Sequence, residues 1–338
     1  MTATKALNLL WLDPVPETEV EFIRSMLPPG FNVTTPSAAN SPVPEQLGET
    51  EIIVTRSQPV TAEVIGASPQ LKLIQKYGGR PDRLDLDAAR AARIPVAVMP
   101  LRGCIAVAEL TMTLVLALSK QLIEAHAATV EGRYRDRDLI PERTSQRKHA
   151  FQWMKLPRLQ ELNGHTLGLV GFGEIGTEVA KRARAFNMDV VYCKREPLPD
   201  WLNRDLGVRP AALDELLAVS DYVSIHVPHG PDTEGLIGGR ELALMKSSAS
   251  LINTCRGPVV DEDALIAALQ SGTIAGAGLD VFTYEPLPWD SPLTRLPNVI
   301  LAPHIGGGTG GAREKQMADV LANVVRFAMG EEVLYRVA

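Results

Sequence analysis

The run from Thr166 to Ala180, TLGLVGFGEIGTEVA, spaces Gly171, Gly173 and Gly176 as G-x-G-x-x-G. An apolar strand pattern precedes the glycines and a helical pattern follows them, and that context gives the spacing its chemistry. The first glycine allows a tight turn, the second lets a pyrophosphate approach the backbone, and the third lets the helix pack close on the strand. The N–H groups that open the helix, from Gly173 through Glu174 and Ile175, then face the phosphates of a dinucleotide. A second strand pattern, Val190–Cys193, arrives where such a unit needs one.

In dinucleotide sites the end of that second strand carries Asp or Glu when a ribose 2′-hydroxyl is to be bound. Here Lys194 stands eighteen residues after Gly176, followed by Arg195 and Glu196. A carboxylate repels a 2′-phosphate, whereas a cation attracts it and arginine grips it through two N–H groups. The pattern favours NADP(H). NAD(H) stays open, because Glu196 is next in the chain and charges at a strand end are often merely solvated.

Three more polar residues follow apolar strand patterns: Arg256 in NTCRG, Glu285 in the run from Gly278 to Pro286, and His304 in PHIGG. In open α/β sheets ligands bind outside the carboxyl ends of the strands, so three such ends can converge on one site.

Taken with the glycine-rich turn, these segments resemble the D-isomer-specific 2-hydroxyacid dehydrogenase family, which includes glyoxylate/hydroxypyruvate reductases and phosphoglycerate dehydrogenases. The likeness runs from Leu71 through the Asp82 and Asp85 loop and the Val107–Thr111 segment to the C-terminal helix. It implies that Arg256 holds a substrate carboxylate and polarises the reacting carbonyl, as a planar guanidinium suits. It implies that His304 exchanges a proton with the carbonyl oxygen while hydride passes between nicotinamide and the substrate carbon. Glu285 pairs with that histidine, orienting it and raising its affinity for the proton. Asp280 lies near the nicotinamide amide, and Val227, Pro228 and Thr254 complete the cofactor site. Gly78 and Gly79 fall in the loop whose backbone N–H groups bind the substrate carboxylate.

Two departures stand out. Arg80 replaces the second glycine of that loop and Pro81 lacks an N–H; Arg80 either adds a charge for a dianionic or bulky substrate or points to solvent. The second departure is the missing acid at Lys194, although NADP-using relatives carry an arginine matching Arg195. Relatives that act on formate carry Gln where this chain has Glu285, which argues against formate. The expected activity is a reversible NAD(P)-dependent reduction of a 2-oxo acid to a D-2-hydroxy acid. The alternatives are the same chemistry on an unusual substrate such as phosphite, or a non-enzymatic dinucleotide-sensing protein.

The elements that must position these residues are short apolar strands alternating with amphipathic helices. Strand patterns cover Leu7–Leu12, Glu51–Thr55, Leu71–Gln75, Pro95–Met99, Thr166–Gly171, Val190–Cys193, Tyr222–Val227, Ser250–Thr254, Gly276–Asp280 and Val299–Ala302. Several are continuous apolar runs, as in parallel strands covered on both faces. Helical patterns such as Glu174–Phe186, Leu213–Val219, Asp261–Ser271 and Arg313–Phe327 lie among them. The fold class is α/β, with doubly wound parallel sheets. The resemblance adds the organisation: a Rossmann cofactor domain over 104–304, inserted into a flavodoxin-like substrate domain of 1–103 plus 305–338. It also implies a homodimer through helices around 105–130, consistent with the apolar run Leu110–Leu118.

A chain of 338 residues with 45% hydrophobic and 22% charged residues has the composition of a globular protein of about two domains. A net charge of −6 gives no basic excess for nucleic acid. Cys104, Cys193 and Cys255 are odd in number and far apart, which predicts reduced thiols, no metal knuckle and a cytoplasmic protein. The greasiest stretch, Ile105–Leu118, contains Glu109 and falls short of the ~20 apolar residues of a membrane span, so a buried helix is expected. The polar segment Gly132–Lys148 is read as a solvated connection, or as a basic lip for an anionic ligand or a partner subunit.

Overall fold

The computed structural model describes residues 6–36, 45–147, 151–307 and 312–338. The chain divides into two compact units, Met1–Ile105 with Thr309–Ala338, and Ala106–Gly308.

In the first unit, β1 (Leu7–Trp11), β2 (Phe31–Thr34), β3 (Ile52–Thr55), β4 (Leu73–Tyr77) and β5 (Val96–Met99) form one parallel sheet in the order β2-β1-β3-β4-β5. That is the flavodoxin-like order. Every residue of β3, β4 and β5 is buried. One face of the sheet packs Leu9, Trp11, Val54 and Leu73 against Met317, Val320 and Val324 of the C-terminal helix Ala312–Ala328. The buried Asn323 of that helix donates to Gln75 Oε1 at 2.7 Å and accepts from the Leu334 N–H at 2.7 Å. The helix therefore docks in a single register, as a buried amide must be satisfied.

The second unit holds β6 (Thr166–Val170), β7 (Asp189–Cys193), β8 (Val208–Pro210), β9 (Tyr222–Ile225), β10 (Ser250–Asn253), β11 (Gly276–Leu279) and β12 (Val299–Leu301). They pair in parallel in the order β12-β11-β10-β9-β6-β7-β8. Strand order reverses between β6 and β9, and such a switch point opens a crevice at the carboxyl ends. Two hydrophobic clusters cover its faces, one around Leu251, Ile225 and Leu265, the other around Leu167, Val179 and Tyr192.

The ten strand patterns all appear as strands, trimmed or shifted at their ends by up to two residues. Two strands had no recognised pattern, β2 and β8. Both are sheet edges; β2 alternates apolar and polar residues, and β8 has three residues and ends in proline. Edge strands need no continuous apolar run, so that signal misses them.

The expected buried helix is Arg102–Ser119, and it is buried on one face only. Ala108, Met112, Leu114 and Val115 enter the core, whereas Glu109 and Thr113 face out. By length and composition alone it is long and apolar enough to cross a membrane. In the basic segment, Arg133 pairs with Glu124 at 2.6 Å and Glu131 at 2.7 Å, and Arg135 caps the carbonyls of Glu131 and Gly132. Residues 137–147 are exposed, and Lys148 lies outside the described residues. All three cysteines are free.

Candidate active site

The glycine turn is built by close approach. Gly171, at the end of β6, has φ +95°, and a Cβ there would lie 2.5 Å from the carbonyl oxygen of His226 and 2.8 Å from Val227. A Cβ on Gly176 would meet the Gly171 carbonyl at 2.9 Å. Both glycines are therefore required by the protein itself, which seats the helix Glu174–Ala185 directly on the turn. Gly173 differs, because a Cβ there would meet no protein atom. That open space at the first turn of a twelve-residue helix leaves room for a phosphate, so the turn fits a dinucleotide. Phe172 anchors it from below by stacking on Tyr192 at 4.4 Å. Val227 and Pro228 follow β9 on the other side of the switch point.

Lys194 and Arg195 emerge from the end of β7. Lys194 is half-buried, while Arg195 is 83% exposed and sits 3.8 Å from the equally exposed Asp232. An ion pair that open holds Arg195 only loosely.

The Arg–Glu–His set comes from three consecutive strand ends. Beyond β10, the buried Asn253 side chain accepts from the Cys255 N–H at 3.1 Å and donates to the Arg256 carbonyl at 3.0 Å. This clamp leaves the Arg256 side chain exposed, with Nη1 donating to the Cys255 carbonyl at 2.5 Å. Thr254 is buried, with its hydroxyl 3.1 Å from that of Thr111. At Gly257 a Cβ would lie 1.9 Å from the Phe282 carbonyl oxygen, so the segment after β11 runs directly against this glycine. Any side chain at 257 would push the Glu285 loop away.

That loop brings Glu285 Oε2 to 2.6 Å from Nδ1 of His304, while Oε1 accepts from the Phe282 N–H at 3.2 Å. His304 lies beyond β12 with φ +54°, a left-handed conformation that costs a non-glycine residue ~1–3 kcal/mol unless its surroundings impose it. Asp280 imposes it. Only 1% exposed, it accepts from the Ile305 N–H at 2.8 Å and the Gly306 N–H at 2.9 Å. Asp280, expected beside a nicotinamide amide, is thus placed under the histidine loop with both oxygens engaged there. Gly308 lies outside the described residues.

The electrostatic signal of the site falls on Glu285. Burial opposes ionisation of Glu285, but the His304 hydrogen bond, the Phe282 N–H and the charges of His304 and Arg256 outweigh it and hold the carboxyl below its usual 4.5. His304 and Arg256 therefore both act on Glu285. Burial pushes His226 down to about 3, leaving it neutral, and pushes the Cys255 thiol up to about 11, which excludes a thiolate nucleophile at neutral pH. A depressed carboxyl contributes stability and orientation in full above its unfolded pKa and loses them as pH falls through the folded value. A carbon-detected NMR titration of Glu285 should accordingly show its midpoint below 4.5. His304→Asn, which keeps the left-handed backbone, should bring the midpoint up; no change would mean the pair is not coupled in solution.

In the first unit, Gly78 follows β4 with φ +145°, and its carbonyl accepts from the Met99 N–H at 2.9 Å. Arg80 is turned against Asp82 at 3.1 Å, with both side chains largely buried. This ion pair offsets the charge that Arg80 adds, and the side chain does not extend into solvent.

Asn253, Gly257 and the Asp280 bridge are positioning residues with no distinct sequence signal. Only the close approach at 257 and the two-oxygen bridge reveal them.

Known proteins resemble this chain in sequence and fold. The family described as D-isomer specific 2-hydroxyacid dehydrogenase, NAD binding domain, matches residues 112–306. A glyoxylate reductase of Thermococcus litoralis is 40% identical over 289 residues, covering 85% of this chain and 83% of the relative. The crystal structure of a glyoxylate reductase from Paecilomyes thermophila superposes with TM-score 0.55 at 30% identity, covering 98% of each chain. An NADPH-dependent glyoxylate/hydroxypyruvate reductase from Sinorhizobium meliloti, solved with NADP and malonate, gives TM-score 0.52 at 27% identity over 99% of this chain and 97% of that one.

Proposed function

The chain belongs to the D-isomer specific 2-hydroxyacid dehydrogenase family of oxidoreductases, and from that premise we propose that it is an NADP-preferring reductase of 2-oxo acids, working reversibly on D-2-hydroxy acids. The observation that carries the reading is the Glu285–His304 pair at 2.6 Å, within the field of Arg256.

Bound nicotinamide supplies or accepts the hydride. Gly171, Gly173 and Gly176 with the N–H groups of Glu174 and Ile175 would hold the pyrophosphate, and Val227, Pro228 and Thr254 would line the remainder. Arg256 binds the substrate carboxylate through its planar fork and draws electron density from the adjacent carbonyl. His304 donates a proton from Nε2 to the carbonyl oxygen during reduction and takes it back during oxidation. Glu285, bonded to Nδ1, fixes the ring orientation and stabilises the imidazolium. Asp280 holds the backbone that presents the ring. In the first unit the backbone of Gly78 and Gly79 is assigned to the substrate carboxylate. A homodimer is part of the same reading, supported by exposed Leu122, Ile123 and Val130 on the helix Leu122–Val130.

Loss of nicotinamide absorbance with NADPH and with NADH, against glyoxylate, hydroxypyruvate, pyruvate, phenylpyruvate and branched 2-oxo acids, tests the activity. Absence of turnover across the panel would remove the reading. The cofactor preference has its own test. Lys194→Asp combined with Arg195→Ala removes two cations and places a carboxylate where a 2′-phosphate would lie. The ratio of kcat/KM with NADPH to that with NADH should fall at least ~100-fold, since each charged hydrogen bond to the phosphate is worth ~1.5–3 kcal/mol. An unchanged ratio would mean that the 2′-phosphate is read elsewhere.

A further inference from the structure

The acid that is missing at Lys194 has a counterpart across the crevice. The strand order β9-β6-β7 puts the ends of β9 and β7 two strand spacings, about 10 Å, apart, with β6 and its glycine turn between them. Arg195 leaves one side just beyond the end of β7 at Cys193, and Asp232 belongs to the loop that leaves the other side beyond the end of β9 at Ile225. Arg195 Nη1 nevertheless lies 3.8 Å from Asp232 Oδ2, so the pair bridges the crevice. The loop that carries Asp232 is braced at its base. The Thr233 hydroxyl donates to the Pro228 carbonyl at 2.7 Å and accepts from the Gly230 N–H at 2.9 Å. The Gly230 carbonyl accepts from the Thr233 N–H at 2.9 Å and the Glu234 N–H at 3.0 Å. Glu234, the loop's other acid, pairs inside the loop with His229 Nε2. Asp232 instead reaches the opposite side of the crevice, with its side chain 82% exposed.

We propose that Asp232 sets how strongly this chain discriminates between the two nicotinamide dinucleotides, by competing with a ribose 2′-phosphate for Arg195. The role rests on the NADP-preferring reading of Lys194 and Arg195. A 2′-phosphate binds arginine through charge-assisted hydrogen bonds to the guanidinium. To form them it must displace the Asp232 carboxylate or share the guanidinium with it, and sharing sets two anions on one cation. A nucleotide with a free 2′-hydroxyl has no such rival, because a hydroxyl can donate to a carboxylate. Asp232 therefore weakens binding of NADP(H) and leaves binding of NAD(H) unchanged. Both side chains are exposed, so the effect is modest and is screened by salt.

Calorimetric titration with 2′,5′-ADP and with 5′-AMP, the adenosine halves of the two dinucleotides, reads this without turnover. Asp232→Asn should tighten 2′,5′-ADP about 5–10-fold at low salt, the upper range of an exposed ion pair with a like charge also removed, and should shift 5′-AMP less than about 2-fold. At about 0.5 M salt the gain should shrink, as an exposed charge effect must. The variant should fold, since the loop is braced by Thr233 and Gly230 rather than by the Asp232 side chain. In an Arg195→Gln background the same substitution should gain less than about 2-fold, because residues in contact are coupled. If the wild type prefers 2′,5′-ADP to 5′-AMP, an unchanged 2′,5′-ADP affinity in Asp232→Asn overturns the competition and leaves the NADP reading standing. An equal gain with and without Arg195 does the same. Equal affinity for the two probes, in the wild type and in Asp232→Asn alike, overturns both.

Discussion

Arg256→Ala should lower kcat/KM for 2-oxo acid reduction by about 10³-fold while leaving NADPH affinity nearly unchanged. Removing one preorganised donor from a developing oxyanion costs about 10²–10³ in rate, and this arginine is assigned the carboxylate as well. The variant should fold. Its backbone is clamped by Asn253 rather than by its own side chain, and the guanidinium is exposed, with its one described bond running to the neighbouring Cys255 carbonyl. Arg256→Lys separates charge from shape. Lysine keeps the positive field but loses the two-pronged contact, so it should recover only part of the loss. Stopped-flow reduction of a 2-oxo acid, with nucleotide affinity measured by fluorescence, checks both variants. Near-normal turnover of Arg256→Ala would take the residue out of the mechanism. Full rescue by lysine would reduce its role to that of a point charge.

The candidate site residues are legible in the sequence because they follow apolar strands, and the family resemblance supplies their roles. Continuous hydrophobic runs mark parallel strands covered on both faces, and the residue that ends such a run falls at the carboxyl edge of the sheet. The strand patterns alone therefore put Arg256, Glu285 and His304 at the carboxyl edge of one sheet. What holds them is non-local and leaves no pattern. Gly257 looks like an ordinary turn glycine until the Phe282 carbonyl is seen 1.9 Å from where its Cβ would be. Asp280 was expected at the cofactor, yet its two oxygens reach residues 25 and 26 positions later in the chain. The Gly171 and Gly176 roles were readable because the motif encodes close backbone contact, whereas the Asp82 partner of Arg80 was not assigned in advance. Edge strands β2 and β8 escaped for the related reason that a sheet edge does not demand apolar residues on both faces.

The remaining large effect falls on His304. Its left-handed backbone makes the choice of substitution decide what is measured, because alanine would add backbone strain to the loss of the imidazole. Asparagine tolerates that conformation, so His304→Asn keeps the loop that Asp280 secures and removes only the proton relay. Reduction and oxidation should both slow by about 10²–10⁴-fold, the usual contribution of a positioned acid/base group. Glu285→Gln should slow the reaction less, since an amide still bonds Nδ1 but no longer neutralises the imidazolium. If Glu285 acts only through the histidine, the double variant should be about as slow as His304→Asn alone, because residues that work as a unit do not lose rate additively. Losses that multiply in the double variant would show that Glu285 has a separate task, and would detach it from the 2.6 Å pair on which the acid/base assignment is built.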